Sequence, residues 1–354
     1  MNVLRAWFER NFSNPQTVIL ALLLLGGFVV VFYMGKMLAP LLAAVVIAYL
    51  LEAIVQLAER RGAPRLPAVI LVFLLFVVVF LYLMLWLVPM LSRQVAQLAK
   101  DLPHYLDAGQ QLLMRLPETY PQLFTEEQVR DIVNGLQKEL AGLGQSLLSI
   151  SLTWIPSLIA LAVYLILVPM MVFFFLKDKS QIVAWIGSYL PRQRELAARV
   201  WAEVDLQIGN YIRGKFVEIL IIGGASYITF VMMGLNYAAL LGVLVGLSVV
   251  IPYIGATVVT IPVAMIAYFQ WGWGPDFAYL MLAYAIIQAL DGNVVVPLLF
   301  SEAVNLHPVA IIVAVLVFGG LWGFWGVFFA IPLATLVKAV LTAWPKAEEA
   351  EQPA

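Results

Sequence analysis

From Leu66 to Leu91 not one residue carries a charge, and nearly every side chain is aliphatic or aromatic. Such a run exceeds the about 20 residues an α-helix needs to cross the roughly 30 Å hydrocarbon core of a bilayer. Comparable apolar runs recur at Thr17 to Met34, Leu38 to Leu57, Leu152 to Leu176, Phe216 to Met233 and Phe277 to Phe300. One soluble core could not hide this much apolar surface. Of 354 residues, 63% are hydrophobic and 12% charged, and the mean hydropathy is +0.96. Soluble domains have about 45–50% and about 25%. A transmembrane barrel would alternate with period two in pieces of about 10 residues, and no such alternation is visible. The chain is therefore expected to be an all-α polytopic membrane protein whose main partner is the lipid bilayer.

The same inventory excludes several functions. With 20 Lys+Arg against 21 Asp+Glu, no basic field exists to hold nucleic acid. The absence of cysteine removes disulfides, thiolate metal sites and cysteine nucleophiles together. Neither H-E-x-x-H, nor G-x-S-x-G, nor a Walker loop occurs, so no enzyme, no metal or other cofactor, and no self-contained ATP-driven pump is expected. Nor is a cleavable leader, because Arg5, Glu9 and Arg10 precede a long apolar segment that no small-x-small site follows.

Short-loop charges set the orientation. Arg5 and Arg10 precede the first span, Arg60, Arg61 and Arg65 follow the second, and Lys177, Lys179, Arg192, Arg194, Arg199, Arg213 and Lys215 lie between the fourth and fifth. All fall on one side, and the positive-inside rule makes that side cytoplasmic. Lys338 and Lys346 place the C-terminus there as well, so both termini are expected in the cytoplasm.

The expected organisation is three N-terminal spans (1–91), an extracytoplasmic amphipathic helical arm (92–151), a fourth span (152–176) and cytoplasmic amphipathic helices (177–215). A transport core (216–344) and a cytoplasmic tail (345–354) complete it. The arm carries five Lys/Arg and seven Asp/Glu, with Val95, Leu98, Leu102, Tyr105, Leu112 and Leu116 near helical period. Thr125-Glu126-Glu127-Gln128 has capping-box form and opens a second helical run through Leu140. The arm's apolar stripe either covers its own subunit or contacts a neighbour. Between Pro191 and Ile208, Leu196, Val200, Val204 and Ile208 form one stripe, expected to lie on the cytoplasmic membrane surface.

The core contains two interrupted segments. Ala238 to Phe269 holds apolar pieces of about 14 and 13 residues, short of the about 17 needed to span, joined by Ile251-Pro252-Tyr253-Ile254-Gly255. Val309 to Trp344 repeats the arrangement around Gly319-Gly320-Leu321-Trp322-Gly323-Phe324-Trp325-Gly326. Gly255 precedes Pro262 by seven residues, Gly326 precedes Pro332 by six, and an intact span precedes each pair. Alternate crossing makes the two units inverted, giving about eight membrane segments that include two re-entrant or broken hairpins. Inverted units with broken helices are transporter architecture, because unwound backbone in a cavity offers free N–H and C=O groups. The other reading is two ordinary spans joined by a turn, with Gly and Pro serving helix packing.

Asp291, in Gln288-Ala289-Leu290-Asp291-Gly292-Asn293, lies inside an apolar run, where a carboxylate costs at least about 2.5 kcal/mol unless it faces a partner or cavity. Gln288 and Asn293 are close enough in sequence to converge with it on one ligand; the alternative is a structural bond made necessary by the break at Gly292 and Pro297. Arg213 could bind a solute or pair with Glu218, whereas Lys215 reads as a snorkelling anchor. His307, followed by Pro308, reads as a loop residue, and Glu52 needs no special role. Asp291, Gln288, Asn293, Arg213 and Glu218, with the tip residues Pro252, Gly255, Gly319 and Gly323, make up the candidate site.

Phe174-Phe175-Leu176-Lys177-Asp178, Tyr211-Ile212-Arg213-Gly214, Ile251-Pro252-Tyr253-Ile254-Gly255, Asp291-x5-Pro297, Leu306-His307-Pro308 and the Gly-Gly-x-x-Gly-x-x-Gly-x4-Ile-Pro tail occur in order. With them the chain resembles the AI-2E family of bacterial inner-membrane permeases over nearly its whole length. The resemblance implies transport, homo-oligomeric and specifically pentameric assembly, and an inner-membrane location. It associates the family with export of the quorum-sensing signal autoinducer-2, and some members with sodium or proton antiport. The expected function is a secondary transporter exporting a small polar organic solute such as autoinducer-2 by alternating access. A monovalent cation (sodium or lithium)/proton antiporter working through Asp291 and a non-transporting membrane scaffold are the rivals.

Overall fold

The structure is a computed structural model describing residues 15–35, 37–114, 117, 125, 127, 130, 135, 154–191, 194–300 and 306–343. Among the described residues all regular structure is helical, and seven helices are long and apolar enough to cross a membrane. Helices α1 (Pro15–Met34), α2 (Ala39–Arg60) and α3 (Arg65–Tyr82) come first. A π-turn, Leu83–Leu87, joins α3 to α4 (Val88–Met114). Then follow α5 (Trp154–Lys177), α6 (Lys179–Ser188), α7 (Glu195–Met232), α8 (Ala238–Ser248) and α9 (Ile254–Trp271). Helix α10 (Pro275–Leu290) continues through a second π-turn, Asp291–Val295, into α11 (Val296–Phe300); α12 (Pro308–Phe328) and α13 (Ala330–Ala343) end the described chain.

Helices α2, α3 and α5 pack through small and β-branched residues: Ala44, Ala48 and Val55 meet Ala68, Val69, Val72, Val168 and Val172. Short side chains allow the close approach that helices in lipid rely on. The end of this bundle is tied by charge. Arg65 donates to the Leu176 carbonyl at 2.9 Å, satisfying a carbonyl near the end of α5, and pairs with Glu52 at 3.3 Å. Lys179 lies 3.6 Å from the same carboxylate. Glu52, expected to need no role, is thus buried and holds α2, α3 and α6 together.

Helix α7 is the hub, and here the structure corrects the expectation. Its 38 residues form one continuous helix, about 57 Å long at 1.5 Å per residue, with no boundary at residue 215. The stripe Leu196, Val200 and Val204 does not lie on a membrane surface. It is buried in a cluster shared with Leu20 of α1 and Ala339 of α13. A stripe that faces other helices and one that faces lipid headgroups have the same period, so sequence alone does not separate them.

The chain doubles back at both interrupted segments. A Cβ on Gly255 would lie 1.8 Å from the Ser248 carbonyl oxygen, and one on Gly326 would lie 1.8 Å from that of Phe318. Each turn therefore closes on a glycine that has no room for a side chain. The hairpins point in opposite directions along α7. Gly242 meets Tyr227, Gly246 meets Gly223, and Val249 meets Lys215, so the first hairpin (α8 and α9) runs down towards the N-terminal part of α7. The second (α12 and α13) has Ala339 beside Leu196, Ile331 in a cluster with Tyr211, and Trp322 beside Phe28 and Gly35, so it runs the other way. The first tip, Val250 and Ile251, packs into clusters with residues of the second hairpin.

Two lengths differ from expectation. Helix α9 has 18 residues rather than about 13, because it starts within the tip at Ile254 and runs on to Trp271. Helix α12 runs through the glycine-rich stretch with a break at Gly323 only, and the hairpin it opens extends alongside α1 as far as Gly35. The first tip lies 17 residues down α7 from Met232, about 26 Å. Both hairpins are thus close to a full span in length.

Helix α4 settles one open choice for its own residues. Leu91, Val95, Leu98 and Tyr105 pack on the first hairpin's core, the Gln94 carboxamide oxygen accepts the Leu240 N–H at 2.8 Å, and the Tyr237 hydroxyl donates to Asp101. This part of the arm covers its own subunit. The capping-box helix expected from Thr125 to Leu140 lies almost wholly outside the described residues.

Candidate functional site

The two π-turns share one sequence cause. Leu83–Leu87 is followed by Val88-Pro89, and Asp291–Val295 by Val296-Pro297. Proline has no N–H and its ring collides with the carbonyl four residues back, and one widened turn ahead of it relieves both problems. The break expected at Gly292 and Pro297 is therefore a continuous helix carrying a π-turn, with Asp291 as its first, buried residue.

Opposite Asp291, helix α7 presents Lys215 and Glu218, one turn apart on its inner face. Lys215 Nζ lies 2.6 Å from Glu218 Oε2, with side chains only 5% and 2% exposed. It also donates to the Val249 carbonyl at the first hairpin tip, at 2.9 Å, and sits 5.1 Å from the Phe300 ring centroid. Asp291 is within electrostatic range of both Lys215 and Glu218. Its Oδ1 is buried and has no hydrogen-bond partner. The Tyr211 ring lies tilted at 5.9 Å from Phe300 and edge-to-face at 6.0 Å from Phe328, while its buried hydroxyl is likewise unpartnered. Phe300 is held by the smallest possible neighbour, since a Cβ on Gly214 would come within 2.8 Å of its ring.

Placing one ammonium and two carboxylates in a dry interior costs several kcal/mol per ion before their attraction is counted. These charges meet where the long helix, the first hairpin tip and the π-turn converge, with a spare carboxylate oxygen and a spare phenol available for a ligand. Lys215 is thus no snorkelling anchor, and Arg213 does not pair with Glu218. Arg213 donates instead to Asn210 Oδ1 at 2.8 Å. Asn293 is exposed and donates to its own helix, at the Ala289 carbonyl, so it does not converge with Asp291. Gln288 is half-buried and makes no hydrogen bond to Asp291. Pro252 and Gly255 form the tip below Val249. Gly319 and Gly323 belong to the other tip, away from the charges, and Gly323 has φ +58° and ψ −134°, backbone that only glycine adopts readily. There the buried Trp322 indole N–H has no partner. His307 caps α12, its ring nitrogen accepting the Val309 N–H.

Lys215, Tyr211 and Phe300 were not among the expected site residues. The available signal was the Lys215-x-x-Glu218 spacing at the edge of an apolar run, which puts the two ends on one helix face.

Residues 18–346 match the family described as AI-2E family transporter. The chain is 47% identical over 352 residues to "Putative permease PerM" of Escherichia coli K12, covering 99% of this chain and 100% of that protein. It is 27% identical to "Putative transport protein YueF" of Bacillus subtilis, covering 87% and 84%. With "AI-2 transport protein TqsA" of Escherichia coli it shares 23% identity, over 87% and 86% of the two chains.

Proposed function

We propose, starting from the fact that the chain belongs to the AI-2E transporter family, that it is a secondary transporter exporting a small polar organic solute by alternating access. Its site is the buried cluster of Asp291, Glu218, Lys215 and Tyr211 beside the first hairpin tip. The observation that carries this reading is the meeting of a buried, incompletely bonded charge cluster with a glycine-closed tip. A solute's hydroxyl groups supply the donors that Asp291 Oδ1 lacks, and the first hairpin tip, bonded to Lys215 through the Val249 carbonyl, is the element that moves. Autoinducer-2, the solute in the name of one relative, is a member of that chemical class. The protein sits in a bacterial inner membrane with both termini cytoplasmic, assembled as a homo-oligomer, a pentamer, and its hairpins enter from opposite sides.

A specific observation favours a second reading, a sodium or lithium/proton antiporter: Glu218 gives the cluster a second buried carboxylate, as compensating a transported cation requires. Proteoliposome flux separates the two. Solute efflux driven by its own gradient, without proton movement when sodium or lithium is added, supports the exporter. Asp291-dependent proton movement on sodium addition, without solute flux, supports the antiporter. Neither flux would return the chain to a membrane scaffold.

A further inference from the structure

The ligands around Lys215 are those of a monovalent cation site. Val249 is the C-cap of α8, so its carbonyl carries the partial negative charge of a helix end. Glu218 contributes a carboxylate at 2.6 Å, and Asp291 a second one within electrostatic range, with an oxygen left unbonded. Phe300 adds the negative face of an aromatic ring at 5.1 Å. All of these attract positive charge, and the cluster is buried. Two ionised carboxylates beside a helix C-terminus in a low-dielectric interior are stabilised by a cation among them. The ammonium is the only cation the described cluster holds, and it reaches two oxygen groups, Glu218 on its own helix at 2.6 Å and the Val249 carbonyl of the first hairpin at 2.9 Å.

We propose that the Lys215 ammonium is a tethered cation: it occupies the place between the Val249 carbonyl and Glu218, with Asp291 in electrostatic range, that a sodium ion would fill if the lysine were absent. The chain therefore holds its first hairpin without sodium. Removing the ammonium while leaving the oxygen ligands in place creates a sodium site. For transport this deepens the exporter reading above and rests on it: the site has no vacancy for a coupling ion, and the solute's own gradient drives the cycle. The ion site itself stands on geometry alone and is tested without any solute.

The experiment is thermal unfolding of the purified full chain in detergent, in sodium chloride and in choline chloride at equal ionic strength. Wild type is expected to melt at the same temperature in both salts. Lys215→Ala is expected to melt lower in choline and to recover by about 2 °C or more in sodium, the stabilisation that an ion at roughly ten times its dissociation constant brings to a chain of this size. Lys215→Ala/Glu218→Gln, which removes one ligand as well, should lose that response. A sodium-specific shift in wild type overturns the proposal, as does a Lys215→Ala protein that melts identically in both salts. If Lys215→Ala folds only when prepared in sodium, that supports the proposal. If it folds in neither salt, the proposal fails, because intact ligands should accept the ion. A null melting result with solute flux intact refutes the tethered cation alone, whereas absent flux with the expected melting result refutes only the exporter.

Discussion

Gly255→Ala adds one methyl group at the place where the first hairpin can least accept it. The new Cβ would sit 1.8 Å from the Ser248 carbonyl oxygen and 3.2 Å from the Ser248 Cα, whereas real Cβ atoms stay beyond 3.0 Å. The two strands of the turn must part by about 1.2 Å. The Ile251 N–H and Ser248 carbonyl bond at 3.0 Å and the neighbouring Lys215–Val249 bond would be disturbed with it. Forced overpacking costs typically about 1–3 kcal/mol, and loss of one buried bond adds about 1 kcal/mol, for a total of about 2–4 kcal/mol. At roughly 2–4 °C per kcal/mol for a chain larger than a small domain, the midpoint of thermal unfolding should fall by about 4–16 °C. Gly326→Ala, facing the Phe318 carbonyl at the same 1.8 Å, should behave alike. Gly224→Ala in α7 meets nothing within 4 Å and should be neutral or slightly stabilising, because alanine is the better helix former. Thermal unfolding in detergent decides it. If Gly255→Ala melts within 1 °C of wild type, the closed turn is not as described.

Three further outcomes follow from the same geometry. Lys215→Met in sodium-free buffer should cost about 3–5 kcal/mol because it leaves Glu218 buried and unpaired, while Lys215→Met/Glu218→Met should recover most of the loss; chemical unfolding measures both. Asp291→Asn should lower solute transport far more than Asp276→Asn, an exposed first-turn residue of α10, with equal protein inserted in the membrane; equal flux would make Asp291 structural. Gln94→Leu removes the acceptor for the Leu240 N–H and should destabilise by about 1–3 kcal/mol, with faster hydrogen exchange confined to the start of α8.

The membrane helices were legible because uncharged runs of this length have few other uses. That the chain turns back at two places was legible from Gly255 and Gly326, whose spacing to Pro262 and Pro332 marks two copies of one turn. Asp291 stood out because a carboxylate in such a run needs a reason. What escaped depended on partners far away in sequence. Lys215 near the end of an apolar run reads the same whether its ammonium reaches water or turns inward to the Val249 carbonyl. Glu52 looked idle until Arg65 and Lys179 were brought beside it. The stripe Leu196, Val200 and Val204 gave its period but not the identity of what covers it, which is α1 and α13. Pro297 announced a disturbance in its helix, and its form, a π-turn, is the one that also precedes Pro89.

In alternating access through this site the first hairpin tip moves while the solute crosses. The chain contains no cysteine, so a single Tyr253→Cys at that exposed tip can be labelled cleanly. The measurement is the rate of modification by an impermeant thiol reagent in oriented proteoliposomes, from each side, with and without a saturating transported solute. Solute is expected to change the rate several-fold on one side and in the opposite sense on the other, and Asp291→Asn to abolish the change. Rates indifferent to a solute that is demonstrably transported, from both sides, would contradict it.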